Sequence, residues 1–258
     1  MDRAEHPPTG LPSPPPLRGA DIALFLDVDG TLLEIEREPG AVHVPDQLCR
    51  VLEDLQSTTA GALALVSGRS LQQLDRLFSP LILSAAGLHG LERRNLCVGI
   101  ERAAPNPAIL KRARERLAAF ADSTEGVLLE DKELTLALHY RNAPTAAAAA
   151  FGVAEAAVAA SGGALALLRG KMVLELKPPG VDKGVAIAAF MDESPFAGRR
   201  PVFAGDDMTD EAGFATINEM GGISIRIGDG SPTAATYGHD DVAAVQTWLL
   251  ELVRVEAA

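Results

Sequence analysis

The stretch Ile22-Ala-Leu-Phe-Leu26 followed by Asp27-Val-Asp29-Gly30-Thr31 sets an unbroken apolar run against an abrupt acidic turn. A short continuous apolar run of this kind suits a strand buried on both faces of a parallel sheet. Asp27 and Asp29 lie two apart where the chain leaves that strand, so both carboxylates can point toward one pocket. One of them can act as a nucleophile, and the other as general acid and then base. Gly30 lets the chain turn sharply, and Thr31 can donate to a phosphate. The same residues also make an ordinary strand terminator, so partners elsewhere in the chain must decide between the two readings.

Working outward, the pattern repeats. A helix is predicted over Asp46 to Thr58, with Pro45 in its first-turn region, and Gly61 to Val66 reads as a second buried strand ending at Ser67-Gly68-Arg69. A helix over Ser70 to Phe78 leads to the apolar triplet Leu81 to Leu83 and the turn Gly87-Leu88-His89-Gly90. After Pro178-Pro179-Gly180 the texture returns: a helix near Lys183, a strand over Pro201 to Ala204 ending at Gly205-Asp206-Asp207, a strand over Ile223 to Ile227, and a helix over Val242 to Val253 carrying Trp248. Strands and helices alternating at short intervals predict an α/β fold, a doubly wound parallel sheet.

Between Ala104 and Pro178 the texture differs. Pro107 to Ala121 and the alanine-dense Thr145 to Ala160 read as helices. Leu134 to Arg141 alternates with period two, and Ala164 to Leu168 with Lys171 to Lys177 reads as a hairpin about Arg169-Gly170. This is an α+β layer with one open sheet face. The expected organisation is a flexible proline-rich leader over residues 1–20, a core over 21–103 and 179–258, and an inserted cap over 104–178.

Composition narrows the function classes. The chain has 258 residues, 47% hydrophobic and 22% charged, as expected of an ordinary soluble globular protein. Aromatics make up only 4% and the formal net charge is -12, so neither stacking platforms nor a basic footprint points to nucleic acid or an anionic membrane. No apolar run reaches the length of a membrane span. Cys49 and Cys97 have no metal-like spacing; both read as small buried hydrophobes, and a reducing cytoplasm fits them better than a disulfide framework. An acidic protein repels an anionic substrate at long range, so a phosphate site here needs a cation to reverse the local field.

Four polar motifs fall at or just beyond the carboxyl ends of predicted strands or at a helix start, the edge at which open α/β sheets bind ligands. They are Asp27 to Thr31, Ser67 to Arg69, Lys183, and Gly205 to Glu211. Ser67 offers a hydroxyl and an N–H before a helix, which suits either a phosphate cradle or a simple N-cap. Lys183 heads a helix, where a cation opposes the dipole, and that misfit suits a group serving an anion. Asp206, Asp207, Asp210 and Glu211 would repel one another without a cation, and an oxygen-rich site that also holds a phosphate usually suits Mg²⁺.

In this order the motifs resemble the four of the haloacid dehalogenase superfamily of phosphatases. The likeness extends to the trehalose-6-phosphate phosphatases through Ala62 to Ser70, Ala86 to Arg94, Leu136 to Arg141, Lys171 to Pro178 and Phe203 to Glu211. The resemblance implies Asp27 as nucleophile, Asp29 as acid and base, Ser67 and Lys183 on the phosphoryl oxygens, and Mg²⁺ on Asp27, the Asp29 carbonyl and Asp206. Asp210 would stand near the ion or near Lys183, with Asp207 supporting. Arg69, in the Ser-Gly-Arg signature, is expected to orient its loop on the substrate side. Glu130, Lys132 and Glu175 of the cap are expected to bind the sugar. Asp182 stands before Lys183, where many members carry a small hydroxyl residue. The partner implied is a small sugar phosphate, trehalose 6-phosphate first and sucrose 6-phosphate as the alternative; a sensor without catalysis is expected to lose one of the two first-motif aspartates, and both are present.

Overall fold

In the computed structural model, which describes residues 10–35, 44–170, 172–230 and 232–254, strand β1 (Ile22–Leu26) runs through the interior of an eight-stranded sheet. On one side of it lie β2 (Leu63–Val66), β3 (Ser84–Gly87), β4 (Glu92–Asn95) and β5 (Gly99–Arg102); on the other lie β10 (Arg200–Gly205), β11 (Ile223–Ile227) and β12 (Tyr237–His239). Every pair from β12 through β3 is parallel, and β4 pairs antiparallel with β3. The strand order reverses at β1: the chain steps outward one way through β2 and β3, and the other way through β10, β11 and β12. Such a switch point opens a crevice at the strands' carboxyl ends.

The period of two along β1 sorts its side chains between two cores. Ile22, Leu24 and Leu26 join Leu48, Leu52 and Leu55 of α1 (Asp46–Thr58), Leu71 and Leu74 of α2 (Leu71–Leu77), and Val245 and Leu249 of α7 (Val242–Arg254). Ala23 and Phe25 join Ile187 and Phe190 of α5 (Lys183–Met191) and Phe214 and Ile217 of α6 (Glu211–Glu219). Phe25 stacks on Phe196 with ring centroids 5.5 Å apart. Helices on both faces make β1 wholly buried, as its unbroken apolar run demands.

Contacts divide the chain into two units, Met1–Glu101 with Asp182–Ala258, and Arg102–Val181. In the second unit, β6 (Leu128–Asp131), β7 (Leu136–His139), β9 (Val173–Lys177) and β8 (Ala166–Gly170) form an antiparallel sheet in that order. Leu136, Leu138, Leu174 and Leu176 pack with Leu110 and Leu117 of α3 (Pro107–Asp122) and Ala150 and Ala154 of α4 (Ala147–Ala160). Glu130, Ala137 and Glu175 stand opposite one another across β6, β7 and β9 on the alternate face.

Several details depart from expectation. The strand after α2 is Ser84–Gly87, which begins just beyond the apolar triplet Leu81 to Leu83. Small residues are required there: a Cβ on Gly87 would lie 2.8 Å from the Arg69 carbonyl oxygen. The turn of the cap hairpin falls after Gly170, with Met172 at φ 66°, and Lys171 lies outside the described residues. Of the stretch read as a flexible leader, residues 1–9 lie outside the described residues. Residues 10–20 carry contacts to the core: Leu17 packs on the α1 face, and Gly238 N–H donates to the Pro12 carbonyl at 3.0 Å. Cys97, expected to be buried, is exposed in the turn between β4 and β5, and Cys49 is half-buried; both are free thiols. Among the described residues no helix is long and apolar enough to cross a membrane.

Candidate active site

Asp27, Ser67 and Asp206 stand directly after β1, β2 and β10, three neighbouring parallel strands, so the register brings them to one edge. Lys183, the first residue of α5, reaches the same place. Its Nζ donates to Asp27 Oδ1 at 2.7 Å and to Asp210 Oδ1 at 2.5 Å, and all three side chains are buried. Burial works against the ammonium, but Asp210 and Asp27 outweigh it and raise Lys183 above its ordinary value. The lysine that opposes its helix dipole is thereby fixed by two carboxylates. Asp182 supplies the N-cap of that helix, its side chain accepting from Val185 N–H at 2.9 Å.

Asp210 is fully used. While Oδ1 holds Lys183, Oδ2 accepts from the N–H groups of Asp206 and Asp207, each at 2.9 Å. Asp207 accepts from Met208 N–H and closes a capping box with Asp210. Glu211 faces elsewhere, accepting from Ala234 N–H at 2.7 Å and from Arg226 at 3.4 Å. The acidic run therefore divides into Asp206 pointing at the site, Asp210 supporting from beneath, and Asp207 and Glu211 shaping the loop. Arg226, which sequence reasoning passed over, donates to the Asp207 carbonyl at 3.2 Å; only its place in β11, beside β10, reveals that role.

Asp27, Asp206 and Asp210 each offer a carboxylate oxygen within 4.8 Å of the others. Asp206 Oδ1 is buried and has no hydrogen-bond partner among the described residues. Burial first, then Asp210, push the Asp206 carboxyl up to about 7 against the pull of Lys183. Burial also raises Asp27, with Asp210 and Asp206 adding to it and Lys183 opposing. Clustered hard oxygens that repel one another, with one left orphaned, fit a divalent cation. Gly30 makes room for this arrangement: its φ is +90°, and a Cβ there would stand 2.1 Å from Asp206 Oδ2. Gly30→Ala is expected to push Asp206 aside and weaken divalent-cation binding by roughly 10–100-fold, as supporting-residue changes do. Calorimetric titration with Mg²⁺ measures this, and an unchanged affinity would contradict the placement of Asp206.

Asp29 and Ser67 are linked through Arg69. The guanidinium donates from Nε to Asp29 Oδ2 at 2.7 Å and from Nη2 to Oδ1 at 2.6 Å, while the Arg69 N–H donates to Ser67 Oγ at 3.2 Å. The Ser67 loop is braced by the turn at the end of β3: His89 N–H donates to the Ser67 carbonyl, and Leu88 N–H to that of Arg69. Glu92 Oε2 accepts from Leu71 N–H at the start of α2. The Gly87 to Arg94 stretch is thus a scaffold for the Ser67 loop, and His89 contributes its backbone to it.

In the second unit, Glu130, Lys132 and Glu175 form a polar cluster of their own. Lys132 Nζ lies 3.3 Å from Glu175 Oε2, buried Thr135 donates to Glu175 Oε1 at 2.7 Å, and His139 Nε2 is 2.9 Å from Glu130 Oε2. The alternation of Leu134 to Arg141 placed Thr135, just before β7, and His139, its last residue, on this face; their acidic partners come from β6 and β9 and are visible only in the register.

The fold is that of the haloacid dehalogenase phosphatases, and the chain is a phosphoric monoester hydrolase. Within that class the chain belongs to the trehalose-phosphatase family, whose sequence profile matches residues 25–243. It is similar to a probable trehalose-phosphate phosphatase of Sinorhizobium fredii, 46% identical over 216 residues that span 84% of this chain and 81% of the relative. It is 43% identical to the trehalose-6-phosphate phosphatase of Escherichia coli over 234 residues, 91% of this chain and 87% of that one. The crystal structure of a trehalose-6-phosphate phosphatase related protein superposes with a TM-score of 0.76 at 26% identity, covering 92% of this chain and 98% of the other. The C-terminal domain of the Candida albicans trehalose-6-phosphate phosphatase shares the fold, with a TM-score of 0.81 at 20% identity over 95% and 99% of the two chains.

Proposed function

We propose that this chain hydrolyses trehalose 6-phosphate to trehalose and phosphate through an aspartyl-phosphate, with Mg²⁺ as cofactor and the cytoplasm as its compartment. The observation that carries the chemistry is buried Asp27, with Oδ1 tied to Lys183 at 2.7 Å and Oδ2 in the longer 3.3 Å contact from Thr31. The substrate reading rests on likeness to the two relatives above 40% identity. Two free thiols support a reducing compartment.

Asp27 Oδ2 attacks phosphorus as the bond to the sugar O6 breaks, and the proton carried by Asp29 passes to O6. Trehalose leaves, with an aspartyl-phosphate at Asp27 and an ionised Asp29 behind it. A water then gives its proton to Asp29 while its oxygen attacks the same phosphorus. The bond to Asp27 breaks, phosphate departs, and both carboxyl groups are restored. Ser67 Oγ and Lys183 Nζ hold the phosphoryl oxygens, and Asp210 and Asp207 keep Lys183 and the loop in place. The side chains of Asp27 and Asp206 with the Asp29 carbonyl would hold Mg²⁺, which when bound stabilises charge on the transferring phosphoryl group. Glu130, Lys132 and Glu175 bind the sugar hydroxyls, prearranged by Thr135 and His139.

Phosphate release from trehalose 6-phosphate, sucrose 6-phosphate and glucose 6-phosphate tests this. Trehalose 6-phosphate is expected to lead in kcat/KM by about 10²-fold or more. EDTA is expected to abolish release and Mg²⁺ to restore it. A comparable kcat/KM for either other ester would move the assignment to that sugar.

A further inference from the structure

Arg69 joins two parts of the site that the sequence keeps 40 residues apart. Its guanidinium donates to both carboxylate oxygens of Asp29, at 2.7 and 2.6 Å, and leaves on each oxygen a second lone pair that can carry a proton. Its main chain belongs to the Ser67 loop: the N–H donates to Ser67 Oγ, and the carbonyl accepts from Leu88 N–H at 2.9 Å. Gly87 leaves space for that carbonyl, which a Cβ would meet at 2.8 Å. The next residue, Ser70, is locked in a capping box with Gln73. Arg69 is therefore rooted in a turn fixed on both sides, unlike an arginine free to swing from a surface helix. Its side chain is 13% exposed, whereas that of Asp29 is 34% exposed.

A planar guanidinium bonded through two parallel N–H groups fixes both the position and the plane of a carboxylate. A point charge on a flexible stem does neither. We propose that Arg69 is the positioning residue for Asp29, setting the plane of the acid/base carboxylate and registering it to the Ser67 phosphate loop. The proposal rests on the reading of Asp29 as the group that protonates the leaving sugar oxygen. It assigns Arg69 to a residue of the chain, where the family resemblance sets it on the substrate side.

The test varies the need for a proton while keeping the sugar constant. Arg69→Gln and Arg69→Lys are compared with the parent protein on trehalose 6-phosphate and on its analogue with sulfur in place of the bridging O6. A thiol, with a pKa of about 8.5, departs as thiolate without a proton donor, so a badly held acid harms the oxygen ester alone. General acid catalysis contributes about 10²–10⁴-fold. Both variants are expected to lose at least ~10-fold in kcat on the oxygen ester and less than ~3-fold on the sulfur ester, whose turnover also shows that the variants are folded. Equal losses on the two esters would overturn the proposal and place Arg69 on the phosphate or in the general architecture. Full recovery in Arg69→Lys would overturn it by showing that charge alone suffices. If the parent protein turns over neither ester, the failure lies with the substrate reading and not with Arg69.

Discussion

Asp27→Asn is expected to lower kcat on trehalose 6-phosphate by about 10⁴-fold or more, because loss of a covalent nucleophile is among the largest single-residue effects in catalysis. The carboxamide has the shape of the carboxylate but cannot form the acyl phosphate. The fold is expected to persist. Lys183 keeps Asp210 at 2.5 Å, and a buried cluster of mutually repelling carboxylates loses one charge. The midpoint of thermal unfolding should therefore move by only a few degrees, the size of about 1 kcal/mol in a domain of this length. Rapid-quench labelling with trehalose 6-phosphate bearing radioactive phosphate adds the decisive readout. The parent protein should carry acid-stable label during turnover, and Asp27→Asn none. Label on the variant, or turnover within tenfold of the parent, would remove Asp27 from the nucleophile's place.

Lys183→Met has the largest expected effect on stability. The methionine fills the volume, but Asp27 and Asp210 then face each other buried without their cation. Removing one partner of a buried ion pair costs about 3–5 kcal/mol, a large share of the ~5–15 kcal/mol that holds a domain together. Urea unfolding at pH 8 measures the loss, and a midpoint equal to that of the parent would refute the burial of the cluster. The pH dependence has a defined sign. Lys183 titrates above its ordinary 10.5 in the folded protein, so its contribution is complete below 10.5 and is lost as pH rises through the higher folded value. In Lys183→Met the deficit belongs to ionised carboxylates, and Asp27 lies above its ordinary 3.8. The variant should thus recover toward the parent as pH falls through that raised value. Adding Asp210→Asn to Lys183→Met should recover part of the loss at pH 8, since it removes one of the two stranded charges.

The elements legible in the linear chain obey local rules. Ile22 to Leu26 had to be a two-sided buried strand, because five apolar residues in succession leave no face for water. The same reasoning found β2, β10 and β11, and their carboxyl ends marked where Asp27, Ser67 and Asp206 would meet. Two of the elements missed have residues that look polar in isolation. Glu92-Arg93-Arg94-Asn95 forms β4 because Arg94 finds Asp75 and Arg93 finds Glu193, 100 residues away. Leu128 to Asp131 forms β6 although its second half is acidic, since His139 and the β7 backbone receive it.

The sequence by itself determined the fold class and the inventory of reactive groups, for both depend on residue type, periodicity and order along the chain. The division of labour among those groups was decided by tertiary structure. Nothing in the run Asp206 to Glu211 says that Asp210 takes Lys183 and two backbone N–H groups while one oxygen of Asp206 has no hydrogen-bond partner among the described residues. Nor does Ser67-Gly68-Arg69 say that the arginine grips Asp29. Hydrogen bonds and ion pairs act over about 3 Å, and which groups come that close is set by strand order and register, not by neighbourhood in sequence.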